Sequence, residues 1–386
     1  MKIAYVLGEL HRPSERFIER EIDALREMGA QIAVYSVEHP HRAGGRLGEV
    51  TRDLLRLVTP PAWRALLRFP LRDLAALDRT AWKEFPGGLD LAARFANEMT
   101  AWGADHVHAH FATKPAAVAA MAAAMAHRPF TFAAHARDVF TDGVALAAKV
   151  GAAEFVIVCN RAALNETAAQ VPRRLRDRLF LVRHGLDLAR FEFRPRAGGR
   201  PRPRVLGVGR LVEKKGFGYL INAVKQLEAC SCEIAGAGPL EPRLRAQIEQ
   251  LELGDRVHLH GWLAPHELAD RMEAADVLVV PSLVARDGDR DGVPNVVLEA
   301  AAVGLPIVAC DAGGLREFVI DGQTGRLVRP HDPSVIADAV RVVFADRVTT
   351  RRLAENARKK VENEYDLREN TQVLMNLFRR PARDTP

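Results

Sequence analysis

Short apolar runs alternate with stretches whose apolar positions recur every three or four residues, and this rhythm holds from one end of the chain to the other. Ile3–Leu7, Gln31–Val37, His106–His110, Phe130–Ala134, Phe155–Cys159 and Phe180–Val182 read as buried strands. Ser14–Met28 reads as an amphipathic helix that Gly29 stops. Past residue 204 the pattern resumes, with strands predicted at Val205–Val208, Cys232–Ala235, Val257–His260, Val277–Val280 and Ile307–Ala309. Strands that alternate with helices predict parallel sheets covered on both faces.

Between the two halves, Arg194 to Arg204 carries five arginines, three prolines and two glycines, a composition that cannot build a core element. The expected fold is therefore α/β, with two Rossmann-like doubly wound domains. Residues 1–195 and 196–365 form the two, and 366–386 is a C-terminal helix and tail crossing back to the first. A length of 386 residues agrees, since domains run to roughly 150 residues each.

Composition adds limits. With 48% hydrophobic and 27% charged residues the chain is an ordinary globular one. Cys159, Cys230, Cys232 and Cys310 are too scattered for a disulfide framework, and Cys230 and Cys232 read as strand residues. No secretory leader is visible, and the longest apolar run, Ala116–Ala126, is too short to span a bilayer. The expected location is cytoplasmic, extending to the cytoplasmic face of the inner membrane. A net charge of +6 suits a phosphorylated ligand, an anionic membrane or nucleic acid, but only 6% of residues are aromatic and no nucleic-acid motif occurs.

Chemistry first shows at Val205–Gly216, where a predicted strand runs into a glycine-rich turn with Gly209, Arg210 and Lys215. Two cations at a strand end beside a helix start suit a pyrophosphate, although a solvated basic turn would look the same. In Asp287–Ala300 the front half imitates a calcium loop, but the twelfth residue is Leu298 where a bidentate Glu is required. Pro294 instead predicts a helix beginning there or at Asn295. Asp291 in the loop and Glu299 on the helix form an acidic pair that could accept hydrogen bonds from sugar hydroxyls, or simply favour the helix dipole. Gly236-Ala237-Gly238 suggests a dinucleotide site, but position 241 is Glu, so the third glycine is missing.

In the first half, His106, His108 and His110 alternate and so share one face of a strand. No partner cluster of Cys, Asp or Glu is evident for a metal, and His110 reads as lining a site at the strand end. His135 follows the next predicted strand in the same way.

Taken together, Gly209-Arg210, Lys215-Gly216, Ala235–Leu240, Asp291 with Glu299, Ala312–Glu317, Asp321–Gly325 and Leu327-Val328 resemble the motifs of retaining GT-B glycosyltransferases of family 4. Ser14–Ile18, His106–Ala112 and Thr131–Asp138 resemble the branch that makes exopolysaccharides of the colanic-acid type. The resemblance implies two domains facing each other across a cleft. The donor would be a UDP- or GDP-sugar and the acceptor a lipid-linked or growing saccharide, with no cofactor and no metal. Arg210 and Lys215 would hold the donor diphosphate, Glu299 the ribose, and Asp291 the donor sugar. Family members usually carry Glu at the position of Asp291. Gly209, Gly236, Gly292, Val293, Pro294 and Asn295 would complete the donor site. His135 would orient the transferred sugar, while Gly8, Glu9, Ser14, Glu15, Arg16, His110 and Asp138 would border the acceptor. A nucleotide-sugar epimerase, a nicotinamide oxidoreductase and a two-lobed sugar-binding protein are the competing readings.

Residues 42–84 hold nine basic and five acidic residues, with Arg64, Arg68 and Arg72 recurring beside Trp63, Leu66, Leu67 and Phe69. A basic segment with apolar anchors predicts weak peripheral association with anionic membrane; an ordinary solvated insertion is the alternative.

Overall fold

The computed structural model describes residues 1–9, 15–38, 88–141, 145–195 and 202–380. Ser14, the basic segment 42–84 and the middle of the arginine-rich linker, 196–201, lie outside the described residues. The chain divides into two compact units, Met1–Gly185 with Leu367–Pro386, and Leu186–Asp366. The division falls before the arginine-rich stretch and not within it. Leu186 pairs with Asp366, Arg194 N–H donates to the Val303 carbonyl, and Gly304 packs against Phe193 and Pro195, so residues 186–195 are built into the second unit.

The first unit is a six-stranded sheet of Lys2–Leu7 (β1), Gln31–Ser36 (β2), His106–His110 (β3), Phe130–Ala134 (β4), Phe155–Val158 (β5) and Leu179–Leu181 (β6). All pairs are parallel, in the order β2-β1-β3-β4-β5-β6. Helix Arg16–Glu27 ends at Met28, and Gly29 follows at φ 90°, the left-handed conformation that glycine supplies without steric cost. The apolar run predicted from sequence becomes helix Lys114–Ala126, buried against helix Gly88–Trp102 and strands β3 and β4. Its alanines let the helix lie close to the sheet. Among the described residues no helix is long and apolar enough to cross a membrane. Helix Leu367–Phe378 packs on helix Arg16–Glu27 and buries Leu374, Met375, Leu377 and Phe378. Each such side chain contributes about 1.5–3 kcal/mol.

The second unit repeats the plan with Arg204–Val208 (β7), Ser231–Ala235 (β8), Val257–Leu259 (β9), Val277–Val280 (β10), Ile307–Cys310 (β11) and Arg326–Val328 (β12), again all parallel, in the order β12-β11-β10-β7-β8-β9. Strand β12, three half-buried residues at a sheet edge that open with Arg326, is not among the predicted strands. Cys232 lies in β8 and Cys230 just before it, as free thiols.

Strand order reverses between β10 and β7, which are neighbours although far apart in sequence. The carboxyl ends of strands at such a switch point open a crevice in doubly wound sheets. In this unit the loops leaving those ends are Gly209–Gly216 and Pro281–Pro294.

Candidate functional site

In the second unit four glycine-bearing loops meet backbone to backbone in two pairs. Gly236, after β8, sits at φ 147° with the Gly209 carbonyl where a side chain would begin: an added Cβ would come within 1.8 Å of that oxygen. Gly313, after β11, stands in the same relation to the Asp291 carbonyl at 2.0 Å, and Gly314 packs on Gly292. Gly236→Ala is therefore expected to destabilise this unit by about 2–4 kcal/mol, because the loops must separate to admit the methyl group. Thermal unfolding checks the expectation, and a melting temperature unchanged from wild type would contradict it.

This packing brings the two sequence-predicted charge clusters together. Lys215 Nζ lies 2.8 Å from Asp291 Oδ2, which also accepts from Ser282 Oγ at 2.8 Å. The neighbouring Lys214, passed over by the sequence reading, turns inward and bonds Asp289 Oδ1 at 2.9 Å, with Asp291 Oδ1 at 3.5 Å. Asp291 is 7% exposed. Burial opposes its ionisation, but Lys215, Lys214 and Ser282 outweigh that and hold its carboxyl below the usual range. The calcium-like aspartates are also committed: Asp289 to Lys214, and Asp287 to the Asp289 backbone N–H. Arg210 is exposed at the same strand end, beyond Gly209. The predicted helix runs Asn295–Val303 with Pro294 at its cap, and Glu299 lies half-buried upon it. Gly292, Val293, Pro294 and Asn295 form its half-buried approach.

In the first unit the site residues gather at the ends of β1, β3 and β4. His110 Nδ1 lies 3.2 Å from His135 Nε2, and His110 Nε2 lies 3.0 Å from Glu21 Oε1. The ring of His135 stacks on His184 (centroids 5.1 Å apart, planes at 11°) and touches Phe17 and Phe111. Burial lowers the pKa of His135 far below the ordinary value, and that of His184 to about 4, so both rings are neutral at pH 7.

Two expectations need correction. His110 does not line an open surface: its side chain is 0% exposed, covered by Tyr5, Phe17 and His135. Asp138 is not at the surface either. It is 1% exposed and accepts from the backbone N–H groups of Ala112 and His135, so it fixes the turn that carries His135. Gly8 gives its carbonyl to Ser36 Oγ and to the Glu38 N–H, while Glu9, Glu15 and Arg16 lie at the partly exposed start of the site.

Burial pushes the pKa of Asp138 up to about 7, although the two N–H donors and Lys149 pull the other way. The unfolded chain releases this proton near pH 4. The folded state therefore binds more protons between those values and loses stability as pH rises through 7. Between pH 5 and 7 the wild type should lose about 2 kcal/mol more than Asp138→Asn in urea unfolding; parallel profiles would contradict this.

The histidines have partners that arrive from other elements of the fold. Among the described residues, Glu21 with His108 and His110, and His135 with Cys159 and His184, each place three ligating atoms within 4.8 Å. Glu21 and His110 already satisfy each other, and His108 Nδ1 bonds Thr131 Oγ1 at 2.8 Å. Glu21 escaped the sequence reading because an acidic residue on an amphipathic helix looks like part of its solvated face. Its one signal was spacing: it follows Phe17 by four residues and so shares its side of the helix.

Residues 191–360 match the model of the family described as glycosyl transferases group 1. The protein of Escherichia coli (strain K12) named WcaL, assigned to colanic acid biosynthesis as a glycosyltransferase, is 36% identical over 198 residues, which cover 50% of this chain and 48% of that one. The WcaL of Salmonella typhimurium is 29% identical over 95% of this chain and 96% of its own. The chain thus spans about half of the first relative in that alignment and nearly all of the second. Among solved structures, Anabaena Alr3699/HepE in complex with UDP has a TM-score of 0.72 at 19% identity, covering 98% of this chain and 99% of that one. That likeness establishes the fold, two parallel six-stranded sheets of the GT-B kind.

Proposed function

We propose that this chain, a GT-B protein carrying a glycosyl transferases group 1 domain, is a retaining glycosyltransferase. It moves a hexose from a UDP- or GDP-sugar to a lipid-linked or growing saccharide in exopolysaccharide synthesis, at the cytoplasmic face of the membrane. The observation that carries the reading is the meeting of Lys215 and Asp291 at the switch point of the second sheet, with Arg210 exposed in the turn that follows β7.

In the reaction the bond between the anomeric carbon and the phosphate oxygen breaks, and its electron pair leaves with the nucleoside diphosphate. Arg210 and Lys215 meet that growing charge, which preorganised donors stabilise by about 3–4 kcal/mol each. The acceptor hydroxyl bonds to the same face of the sugar, and its proton passes to the leaving phosphate. Glu299 holds the ribose, Asp291 accepts from the donor sugar, and His135 orients it. The lysine and arginine supply the positive charge, so no divalent metal or other cofactor is required. The names of the relatives, colanic acid biosynthesis for WcaL and amylovoran biosynthesis for AmsK of Erwinia amylovora, support an exopolysaccharide product. The UDP complex of HepE makes UDP-sugars the first donors to try.

Calorimetric titration with UDP, GDP and NAD, followed by a donor screen that monitors nucleotide release, tests the reading. Binding of a nucleoside diphosphate and acceptor-dependent release are expected. Binding of NAD alone would favour an oxidoreductase, and turnover of the donor to an isomeric sugar without an acceptor would favour an epimerase.

A further inference from the structure

Among the described residues, the carboxyl of Glu21 is hydrogen-bonded to a histidine ring of the first unit. Its side chain is 12% exposed, and Oε1 receives both the Tyr5 hydroxyl and His110 Nε2 at 3.0 Å. Burial disfavours the charged form of this carboxyl, but His110, His184 and Tyr5 more than offset it and hold its pKa below the ordinary value. A carboxylate only accepts, so the proton on His110 must sit at Nε2. His110 Nδ1 faces His135 Nε2 at 3.2 Å; with the single ring proton of His110 at Nε2, its Nδ1 accepts, so His135 Nε2 donates and His135 keeps its lone pair at Nδ1.

The rings cannot readily turn to escape this order. His110 lies against Tyr5 with planes at 28°, and His135 is held among Phe17, Phe111 and His184. A flip of either imidazole would break the chain of bonds and leave buried polar atoms unpaired.

We propose that Glu21 is a positioning residue for His135: acting through His110, it fixes which nitrogen of His135 carries the proton and holds the ring in one orientation. The inference rests on the transferase reading only for what His135 then touches. A residue that sets a tautomer acts on the turnover of a bound substrate more than on its binding, as the orienting carboxylate of a catalytic triad does.

The test uses the full chain and two readouts. Nitrogen NMR of the histidine rings should find His135 in the Nε2–H form in wild type and in Glu21→Gln, whose amide oxygen still accepts, but in a mixture of forms in Glu21→Leu. In a donor-turnover assay, Glu21→Leu should lose about 10- to 100-fold in kcat, with the donor KM changed by less than about 3-fold, and Glu21→Gln should recover most of it. A wild-type His135 in the Nδ1–H form, or a tautomer that Glu21→Leu leaves unchanged, would overturn the proposal, as would equal turnover in all three proteins. If no nucleotide sugar is turned over by wild type, the transferase reading fails, and the NMR result decides the proposal alone.

Discussion

Replacing Lys215 with alanine is expected to lower kcat/KM for sugar transfer by about 10²–10³-fold, the range seen when one preorganised donor to a developing anion is removed. The second unit should remain folded. Asp291 would lose its 2.8 Å partner, but Ser282 at 2.8 Å and Lys214 at 3.5 Å would still face it, so its charge would not be stranded. Lys215 is also the residue whose aliphatic stem packs on Gly209, so a modest loosening of that loop accompanies the change. Lys214→Ala is the matched control. It removes the same charge one residue earlier, but from a lysine turned inward to Asp289, and so should cost stability more than turnover. Steady-state kinetics with thermal melts on both variants make the comparison. Equal loss of turnover in the two would mean that the charge, and not its place, matters, and would remove Lys215 from its assigned role.

The difference between those two lysines shows where sequence reading stops. That a glycine-rich turn with cations follows a buried strand is legible because each signal is local: an apolar run, a glycine, a basic residue. Which of two adjacent lysines faces the site is not, because the answer depends on Asp289 and Asp291 arriving from a loop some 75 residues later. Glu21 was hidden for the same reason: its partners, Tyr5 and His110, lie on two other elements. The alternation His106, His108, His110 correctly placed three rings on one face, yet not their surroundings. Phe378, from the far end of the chain, covers His106 and His108. The fold was readable because period and punctuation are properties of short windows; the detail of the site arises from contacts between windows.

Asp291 gives the second large expected effect, and it separates a structural role from a functional one. Asp291→Asn should destabilise the second unit by about 3–5 kcal/mol, since removing one partner of a buried ion pair leaves the other charge uncompensated. The folded pKa of Asp291 lies below its unfolded value. Its contribution is therefore present above the unfolded pKa near 4 and lost as pH falls through the folded one, and the gap between wild type and variant should close in acid. Lys215 would be the residue most exposed to the loss, because Lys214 keeps Asp289. A nucleoside diphosphate at this switch point would bring a replacement anion. UDP or GDP should then raise the melting temperature of Asp291→Asn by more than it raises that of wild type, where the phosphate must compete with the resident carboxylate for the same ammonium group. Turnover should nonetheless stay low in the variant, because a neutral amide oxygen accepts from the donor sugar more weakly than the carboxylate does. Differential scanning fluorimetry with and without nucleotide reads the first effect, and the transfer assay reads the second. An equal nucleotide shift in both proteins would mean that the diphosphate does not reach Lys215, and the site would have to be sought elsewhere in the unit.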